Sequence, residues 1–230
     1  MLRHERKSIR LKGYDYTEPN RYFVTICSDF HACIFGEVVN EKVSRSEVGQ
    51  IVLDCWNAIP AHNRNVTVDI CQVMPNHVHG ILEIRWKKPR PPVGTLHATS
   101  LHSGQIHSTI SPKPGSLSAI IRSLKSAVTK EVHSRFNSFH GAIWQSRFYD
   151  RIIRSDREYF FIERYIKLNP LLWGFDIDNP RIEHRSLETL CQTLRDQHQL
   201  DDMEVEYLLD HESLYREWVG IRDSKTPKAS

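Results

Sequence analysis

Segments with the two-residue alternation of β-strands are interleaved along this chain with segments that have helical spacing. The alternating segments are rich in aromatic and β-branched residues, which is typical of strands. We predict four strands in the first part of the chain: Arg21–Ser28, Ile34–Asn40, Val66–Met74 and His77–Arg85. The second is the expected hairpin partner of the first, and a tight turn at Pro75-Asn76 joins the last two.

Helices are predicted between and after these strands. Apolar residues recur at helical spacing over 46–59, and again over 116–136, where the opposite face is basic. A further strand is expected over 142–154. A helix that begins with a capping box should follow it over 155–169 and end before a proline.

The order of these elements predicts the fold class. The series β-β-α-β-β-loop-α-β-α favours an α+β fold, a ferredoxin-like or RRM-like sandwich with a mostly antiparallel sheet and helices on one face. We assign residues 1–175 to this domain and interpret the Pro-, Gly- and Ser-rich stretch 86–116 as a flexible insertion. Residues 176–230 have helical spacing and predict an acidic helical appendage at the C-terminus.

Charge is distributed unevenly along the 230 residues. Residues 1–175 carry 24 Lys and Arg against 15 Asp and Glu, whereas residues 176–212 carry 3 against 11. Within the first part, residues 113–154 hold eight basic and two acidic side chains. This concentration suits a polyanionic partner such as nucleic acid, and solvated faces of a helix and a strand explain it equally well.

Cysteine usage and hydropathy bear on the compartment. The five cysteines form no Cys-x-x-Cys pair, and an odd number without a secretory signal indicates reduced thiols. No apolar run approaches the ~20 residues that a membrane-spanning helix needs. We therefore expect a cytoplasmic protein.

The run MPNHVHG at residues 74–80 is the sharpest local feature. Side chains two apart in a strand point to the same face, so His77 and His79 should project together while Val78 packs behind them. Two imidazoles placed in this way can bind one divalent ion. With 13 histidines in the chain, about one such pair is expected by chance, so a pair of surface histidines is the competing interpretation.

Tyr165 and Asn169 are four residues apart on the last predicted helix, which makes them neighbours on one face. A phenol there can reach a phosphate while the amide oxygen reaches an ion held by the histidines. An aromatic side chain at the edge of the core and a helix C-cap are the structural alternatives.

Three motifs occur together and in a fixed order: MPNHVHG, WQSRFYD with the RIIR that follows it, and YIKLNP. In these the chain resembles the small single-tyrosine HUH transposases, named for their His-hydrophobe-His motif. The segments KGYDYTEPNRYFVTIC, CWNAIP and GSLSAIIRSLKSAVTK also fit larger members, so the resemblance runs from about residue 9 to 175. The branch associated with repetitive extragenic palindromes (REP) is the most similar, since insertion-sequence members often have Gln where this chain has Asn169.

The resemblance implies a metal-dependent tyrosine transposase. In this interpretation His77, His79 and Asn169 bind a divalent ion, Mg²⁺ or Mn²⁺, and Tyr165 is the nucleophile. The enzyme would cleave single-stranded DNA beside hairpins, including REP-like palindromes, through a 5′-phosphotyrosine intermediate, and then rejoin it. Family members act as homodimers or as monomers, and both remain open here.

The basic stretch supplies candidate DNA contacts. We choose four basic residues for the DNA backbone and two aromatic residues for base stacking: Arg122, Lys125, Arg147 and Arg151, with Tyr149 and Trp144. Burial in the core is the competing explanation for each aromatic residue.

Two other classes of protein compete with the transferase. A non-catalytic nucleic-acid-binding module of the same fold would keep the basic surface but would not need Tyr165. A metal-dependent hydrolase would need carboxylate ligands near the histidines, and Glu83 is the only nearby candidate.

Overall fold

The computed structural model describes residues 11, 13–86, 112–137, 141–176, 179 and 187–207. Six strands lie within these ranges: β1 Asn20–Cys27, β2 Gly36–Val39, β3 Lys42–Arg45, β4 Val66–Val73, β5 His77–Ile84 and β6 Tyr149–Ile153. The helices are α1 Glu47–Asn57, α2 Ile59–His62, α3 Leu117–Arg135, α4 Asp156–Leu172 and α5 Leu187–His198. Short 3-10 turns lie at Asp29–His31 and Trp173–Phe175. Most of the insertion predicted over 86–116 lies outside the described residues.

Four strands form the central sheet in the order β4-β5-β1-β6, and every neighbouring pair is antiparallel. With α1 between β1 and β4 and α3 between β5 and β6, this is the β-α-β-β-α-β arrangement of a ferredoxin-like fold. The predicted α+β class and antiparallel sheet are therefore confirmed. In the register of the central pair, Cys27 lies opposite His77 and Thr25 opposite His79.

The strand predicted over 34–40 is present, but the prediction of its partner is wrong. β2 pairs with β3 in a separate two-stranded sheet. Asn40 and Glu41 connect them with φ of 50° and 61°. Two consecutive residues with positive φ are typical of a type I′ turn, whose twist matches that of antiparallel strands, so the nearest segment in sequence became the partner.

One face of the sheet packs against α1 and α3. Trp56 of α1 lies fully buried against Gly80 of β5, where a Cβ atom would collide with the Trp56 ring. The core on this face has apolar side chains from both helices and from alternate positions of the strands, among them Tyr22, Val24, Ile26, Val78, Leu82, Ile120, Leu124 and Val128.

The opposite face packs against α4, and residues of the C-terminal segment join that core, so helices lie on both faces of the sheet rather than on the one face expected. Alternation places the odd-numbered residues of β1 and β5 on this side. This second core includes Phe23, Ile81, Tyr149, Ile153, Ile162, Tyr165, Ile166, Leu194, Leu200 and Val205. The covering helix was predicted, but helical spacing does not indicate which face of a sheet a helix will cover.

Serine hydroxyls cap helices α1, α3 and α4. Ser46, Ser116 and Ser155 each accept a hydrogen bond from the backbone N–H three residues on, which satisfies a donor that the first helical turn leaves without an intrahelical partner. The helix predicted to end before Pro170 instead continues through it to Leu172. Pro170 has no backbone N–H, so it removes one hydrogen bond from the last turn of α4. The helix then leads directly into the 3-10 turn at Trp173–Phe175.

The strand predicted over 142–154 is shorter than expected. Only β6 is regular, and before it a single bridge joins Trp144 to Ser28. The carbonyl oxygens of Gln145 and Arg147 accept hydrogen bonds from the Lys125 ammonium instead of from a neighbouring strand. Lys125 therefore takes the place of a strand partner for these two carbonyl oxygens.

No helix in the described ranges is long and apolar enough to cross a membrane. The five cysteines all lie in described parts of the chain and are free thiols, and of these only Cys27 is buried.

Candidate active site

The two histidines of MPNHVHG lie on the face of β5 that α4 covers. His77 begins the strand, His79 follows on the same face, and both are buried. Their ring centroids are 4.5 Å apart. The prediction that they project together is confirmed, whereas their burial contradicts the alternative of surface histidines.

Helix α4 brings Tyr165 and Asn169 to these imidazoles. The Tyr165 hydroxyl lies 3.4 Å from Nε2 of His79, and Oδ1 of Asn169 lies 3.3 Å from Nε2 of His77. Tyr165 and Asn169 are neighbours on one face of α4, and His77 and His79 are neighbours on one face of β5. The two contacts therefore form side by side. The structure thus brings together all four predicted residues, and we call them the His-Tyr-Asn cluster.

Two further polar residues support the histidines from behind. Oδ1 of Asn76 lies 2.9 Å from Nδ1 of His77, and the Thr25 hydroxyl lies 2.9 Å from Nδ1 of His79. Both are fully buried. Sequence reasoning missed them, although a threonine at a buried position of an otherwise apolar strand and an asparagine beside a histidine are signals that could have been noticed.

The Asn76 amide determines which nitrogen of His77 is available. Its Nδ2 donates to the carbonyl oxygen of His31 at 3.2 Å, which turns Oδ1 toward the imidazole. His77 Nδ1 therefore donates to Oδ1 of Asn76, and in the neutral imidazole the lone pair of Nε2 would point toward Oδ1 of Asn169. Two electron-rich atoms that face each other at this distance are the expected arrangement for a shared cation.

This donor set fits a divalent metal ion. His77 and His79 would supply nitrogen, and Asn169 would supply oxygen. Imidazole suits transition metals and amide oxygen suits hard ions, so Mn²⁺ fits the combination better than Mg²⁺. Among the described residues no group of three or more His, Cys, Asp or Glu side chains converges. Glu83, the carboxylate that a hydrolase would need, is instead bound to Thr67 and Arg85.

Aromatic rings line the cluster. Phe23 stacks on His79 with ring centroids 5.5 Å apart and contacts Tyr165 edge-on. Trp173, just beyond α4, lies 6.1 Å from His77. No residue of the His-Tyr-Asn cluster is more than 2% exposed. The low dielectric of such a buried site strengthens electrostatic contacts. A large substrate can reach the cluster only if the residues that cover it move.

The predicted DNA contacts on α3 differ in their surroundings. Arg122 is exposed and lines a shallow groove with Lys130 and several small side chains. Lys125 is instead half-buried, and its ammonium donates to the carbonyl oxygens of Gln145 at 2.8 Å and Arg147 at 2.9 Å. Burial lowers the pKa of Lys125 from 10.5 to about 8. A lysine in this position connects two segments of the protein rather than presenting a charge to solvent.

The three predicted contacts near β6 also occupy different environments. The Arg147 side chain is exposed. Arg151 forms a 2.7 Å ion pair with Glu158 at the start of α4. Tyr149 is buried edge-on against Phe23, and burial raises the pKa of its phenol. The competing explanation for Tyr149, burial in the core, therefore agrees with its position.

The turn that follows β1 is connected to the cluster. Phe30 and His31 have φ of 50° and 52°, in the left-handed region that costs a residue other than glycine about 1–2 kcal/mol. The carbonyl oxygen of His31 is the one that accepts from Asn76. One amide side chain thus joins this strained turn to His77.

The fold and the cluster together define a ferredoxin-like α+β protein with a buried site of histidine, tyrosine and asparagine. The chain belongs to the same family as an uncharacterized protein of Haemophilus influenzae (strain Rd). The two are 35% identical over 176 residues, which cover 75% of this chain and 92% of that protein. No family model matches the chain.

Two solved structures are similar at a lower level. One is a REP-associated tyrosine transposase bound to a REP hairpin, 15% identical with a TM-score of 0.46, covering 74% of this chain and 75% of that one. The other is a candidate transposase of Deinococcus radiodurans, 16% identical with a TM-score of 0.38, covering 69% of this chain and 96% of that one.

Proposed function

We propose that this protein is a DNA strand transferase that cleaves single-stranded DNA through Tyr165 and rejoins it. The observation that carries the proposal is the convergence of the His-Tyr-Asn cluster. Tyr165 contacts His79 at 3.4 Å across 86 positions of sequence, and Asn169 contacts His77 at 3.3 Å across 92 positions. A phenol beside a divalent-ion site is what phosphoryl transfer to tyrosine requires.

In the proposed reaction Tyr165 attacks a phosphorus atom of the DNA backbone. The bond from the phenol oxygen to phosphorus forms, the bond to the 3′ oxygen breaks, and the protein holds a 5′-phosphotyrosine. The phenol loses one proton and the departing 3′ oxygen gains one. Attack by another 3′-hydroxyl reverses these changes and joins the strand. The phosphodiester bond is exchanged rather than hydrolysed, so no nucleotide cofactor is needed.

The surrounding residues position the reacting groups. His77, His79 and Asn169 would hold the divalent ion, which when bound polarises the phosphate and offsets its developing charge. Thr25 and Asn76 fix the two imidazoles, as outer hydrogen-bond partners of metal ligands generally do. Phe23 and Trp173 reduce access of water to the cluster, which protects the covalent intermediate from hydrolysis.

A non-catalytic nucleic-acid-binding module is the second candidate, and the burial of the cluster favours it. A fully buried set of hydrogen-bonded polar groups can stabilise one packing arrangement without any chemistry. In that case Tyr165 would be a core residue with a satisfied hydroxyl.

One assay separates the candidate functions. The full chain is incubated with hairpin-containing single-stranded DNA and Mn²⁺ or Mg²⁺, and products are run on a denaturing gel, with EDTA as the control. A metal-dependent covalent protein–DNA adduct supports the transferase. Binding without cleavage supports the module, and cleavage without an adduct supports a hydrolase.

A further inference from the structure

Phe30 is the most exposed large hydrophobic side chain among the described residues. Its exposed fraction is 92%, compared with 47% for Phe160 on α4. It lies in the turn at the end of β1, at the end of the sheet where His77 begins β5. An aromatic ring in this position contributes almost nothing to burial of apolar surface.

The backbone at Phe30 makes the choice of residue still less favourable for folding. With φ of 50° and ψ of 24°, Phe30 is in the left-handed region, which glycine and asparagine adopt more readily than an aromatic residue does. Glycine would relieve the strain without losing packing. Strained residues that bring no packing in return are concentrated at functional sites.

Hydrogen bonds anchor the backbone of this turn despite the exposure of Phe30. The backbone N–H of Asp29 donates to the carbonyl oxygen of Ile143 at 2.9 Å, and the Ser28 hydroxyl donates to that of Ala32 at 2.8 Å. The Asn76 amide bridges the turn to the cluster, with contacts to His31 at 3.2 Å and to His77 at 2.9 Å. The backbone that carries the Phe30 ring is therefore fixed relative to the cluster.

We propose that Phe30 is a stacking surface for an unpaired base of the single-stranded DNA whose phosphate reaches the His-Tyr-Asn cluster. This inference rests on the proposed function, since it assumes that single-stranded DNA is the ligand. Every base has a face on which an aromatic ring can stack, so an exposed ring held beside the site of phosphate binding aligns a flexible strand without reading its sequence.

Fluorescence anisotropy tests the inference with a labelled hairpin that carries a single-stranded flank. Phe30→Ala should weaken binding by roughly 5- to 150-fold, the range expected for loss of one base–aromatic stack. Phe160→Ala removes the same side chain from an exposed position on α4 and should leave affinity unchanged. Phe30→Gly should bind as weakly as Phe30→Ala. It should melt at a higher temperature than Phe30→Ala, because glycine adopts the left-handed conformation of this position without strain.

Abasic sites in the flank identify the partner base. At one position an abasic site should weaken binding of the wild-type protein by a similar factor and leave binding of Phe30→Ala unchanged. Wild-type affinity in Phe30→Ala would overturn the inference, as would a loss in that variant that no abasic position reproduces. A difference in oligomeric state between the wild type and Phe30→Ala, measured by sedimentation, would also overturn the inference, because the ring would then contact a second copy of the chain. If the wild-type protein binds none of these DNAs, the proposed function fails before Phe30 is tested.

Discussion

At the scale of single residues, the Tyr165 phenol is the group whose loss should separate chemistry from binding. Tyr165→Phe removes one oxygen atom and keeps the ring against Phe23, so we expect the covalent adduct to disappear while DNA affinity stays within about twofold. Loss of the 3.4 Å contact to His79 should cost roughly 1 kcal/mol of unfolding free energy or less. Denaturing gels, anisotropy and thermal melting measure the three effects.

Tyr159→Phe is the matched control for that variant. In the wild type the Tyr159 hydroxyl donates to Asp69 at 2.5 Å on the exposed side of α4. The variant therefore also loses one hydrogen bond, but at a position outside the cluster. We expect this variant to form the adduct at the wild-type level. An adduct that persists in Tyr165→Phe would assign the nucleophile to another tyrosine.

His77 and His79 should control the response to metal. If they bind one ion, a Mn²⁺ concentration 100 times the Kd stabilises the folded protein by ~2.7 kcal/mol, which raises the melting temperature. His77→Ala and His79→Ala should each abolish this rise, while His62→Ala, at an exposed position of α2, should retain it. Thermal melting with and without Mn²⁺ measures the effect independently of catalysis. A double variant that still cleaves DNA at the wild-type rate would refute the ligand assignment.

At the scale of elements, Lys125 joins the segment before β6 to α3. Its titration should make the free energy of unfolding depend on pH. Its pKa is about 8 in the folded protein and near 10.4 when unfolded. Between these values the unfolded chain binds more protons, so this residue's contribution to stability rises with pH from about 8 to about 10.4 and is lost as pH falls through 8.

Lys125→Met isolates that contribution, because it keeps most of the apolar stem but cannot titrate. The unfolding free energy of the wild type relative to Lys125→Met should increase over this pH interval, measured by denaturant unfolding at several pH values. A difference that is independent of pH would mean that the Lys125 ammonium titrates normally in the folded protein.

The strands and helices of the central domain were predictable because their signals are local. Alternation and helical spacing found the segments that became β1, β4, β5, α1, α3 and α4. Partners were harder to predict: β2 pairs with β3 because a turn of two left-handed residues brings them together. Which face α4 covers was not predictable either, since it depends on packing across the sheet.

The site was predictable in part for the same reason. His77 and His79 share a strand, and Tyr165 and Asn169 share a helix, so each pair followed from the period of its element. The family resemblance joined the two pairs. Asn76 and Thr25 were missed because their roles depend on tertiary hydrogen bonds, to the His31 carbonyl oxygen and to His79.

At the scale of the whole molecule, the charged side chains of the two helical layers differ in their pairing. Helix α3, with exposed Arg122, covers one face. On the other face, Glu204 pairs with Arg164 of α4 at 3.1 Å, and Asp202 pairs with Arg195 of α5 at 2.8 Å. These two acidic side chains therefore neutralise one arginine of α4 and one of α5, whereas Arg122 on α3 is exposed.

The burial of the cluster leads to our last prediction, which concerns the form of the DNA. A phosphate must pass between α4 and the sheet to reach side chains that are at most 2% exposed. A single strand is narrow and flexible enough to do so after a small movement of the walls, whereas a stacked duplex is wide and stiff. We therefore expect a hairpin with a single-stranded flank to be bound and cleaved, and the same flank in perfect duplex to be neither cleaved nor bound as tightly.

Titrations with both DNAs at several salt concentrations test this prediction. For the single-stranded flank, log K should fall with log salt by roughly 0.7 for each phosphate neutralised. Arg122→Ala should lower that slope by about the same amount, because its side chain is exposed on α3. Arg135→Ala is the control on the same helix, since Arg135 is already paired with Glu131 at 2.8 Å. Equal affinity and equal cleavage on perfect duplex would refute the preference for single strands, because the buried cluster would then accept DNA that remains fully stacked.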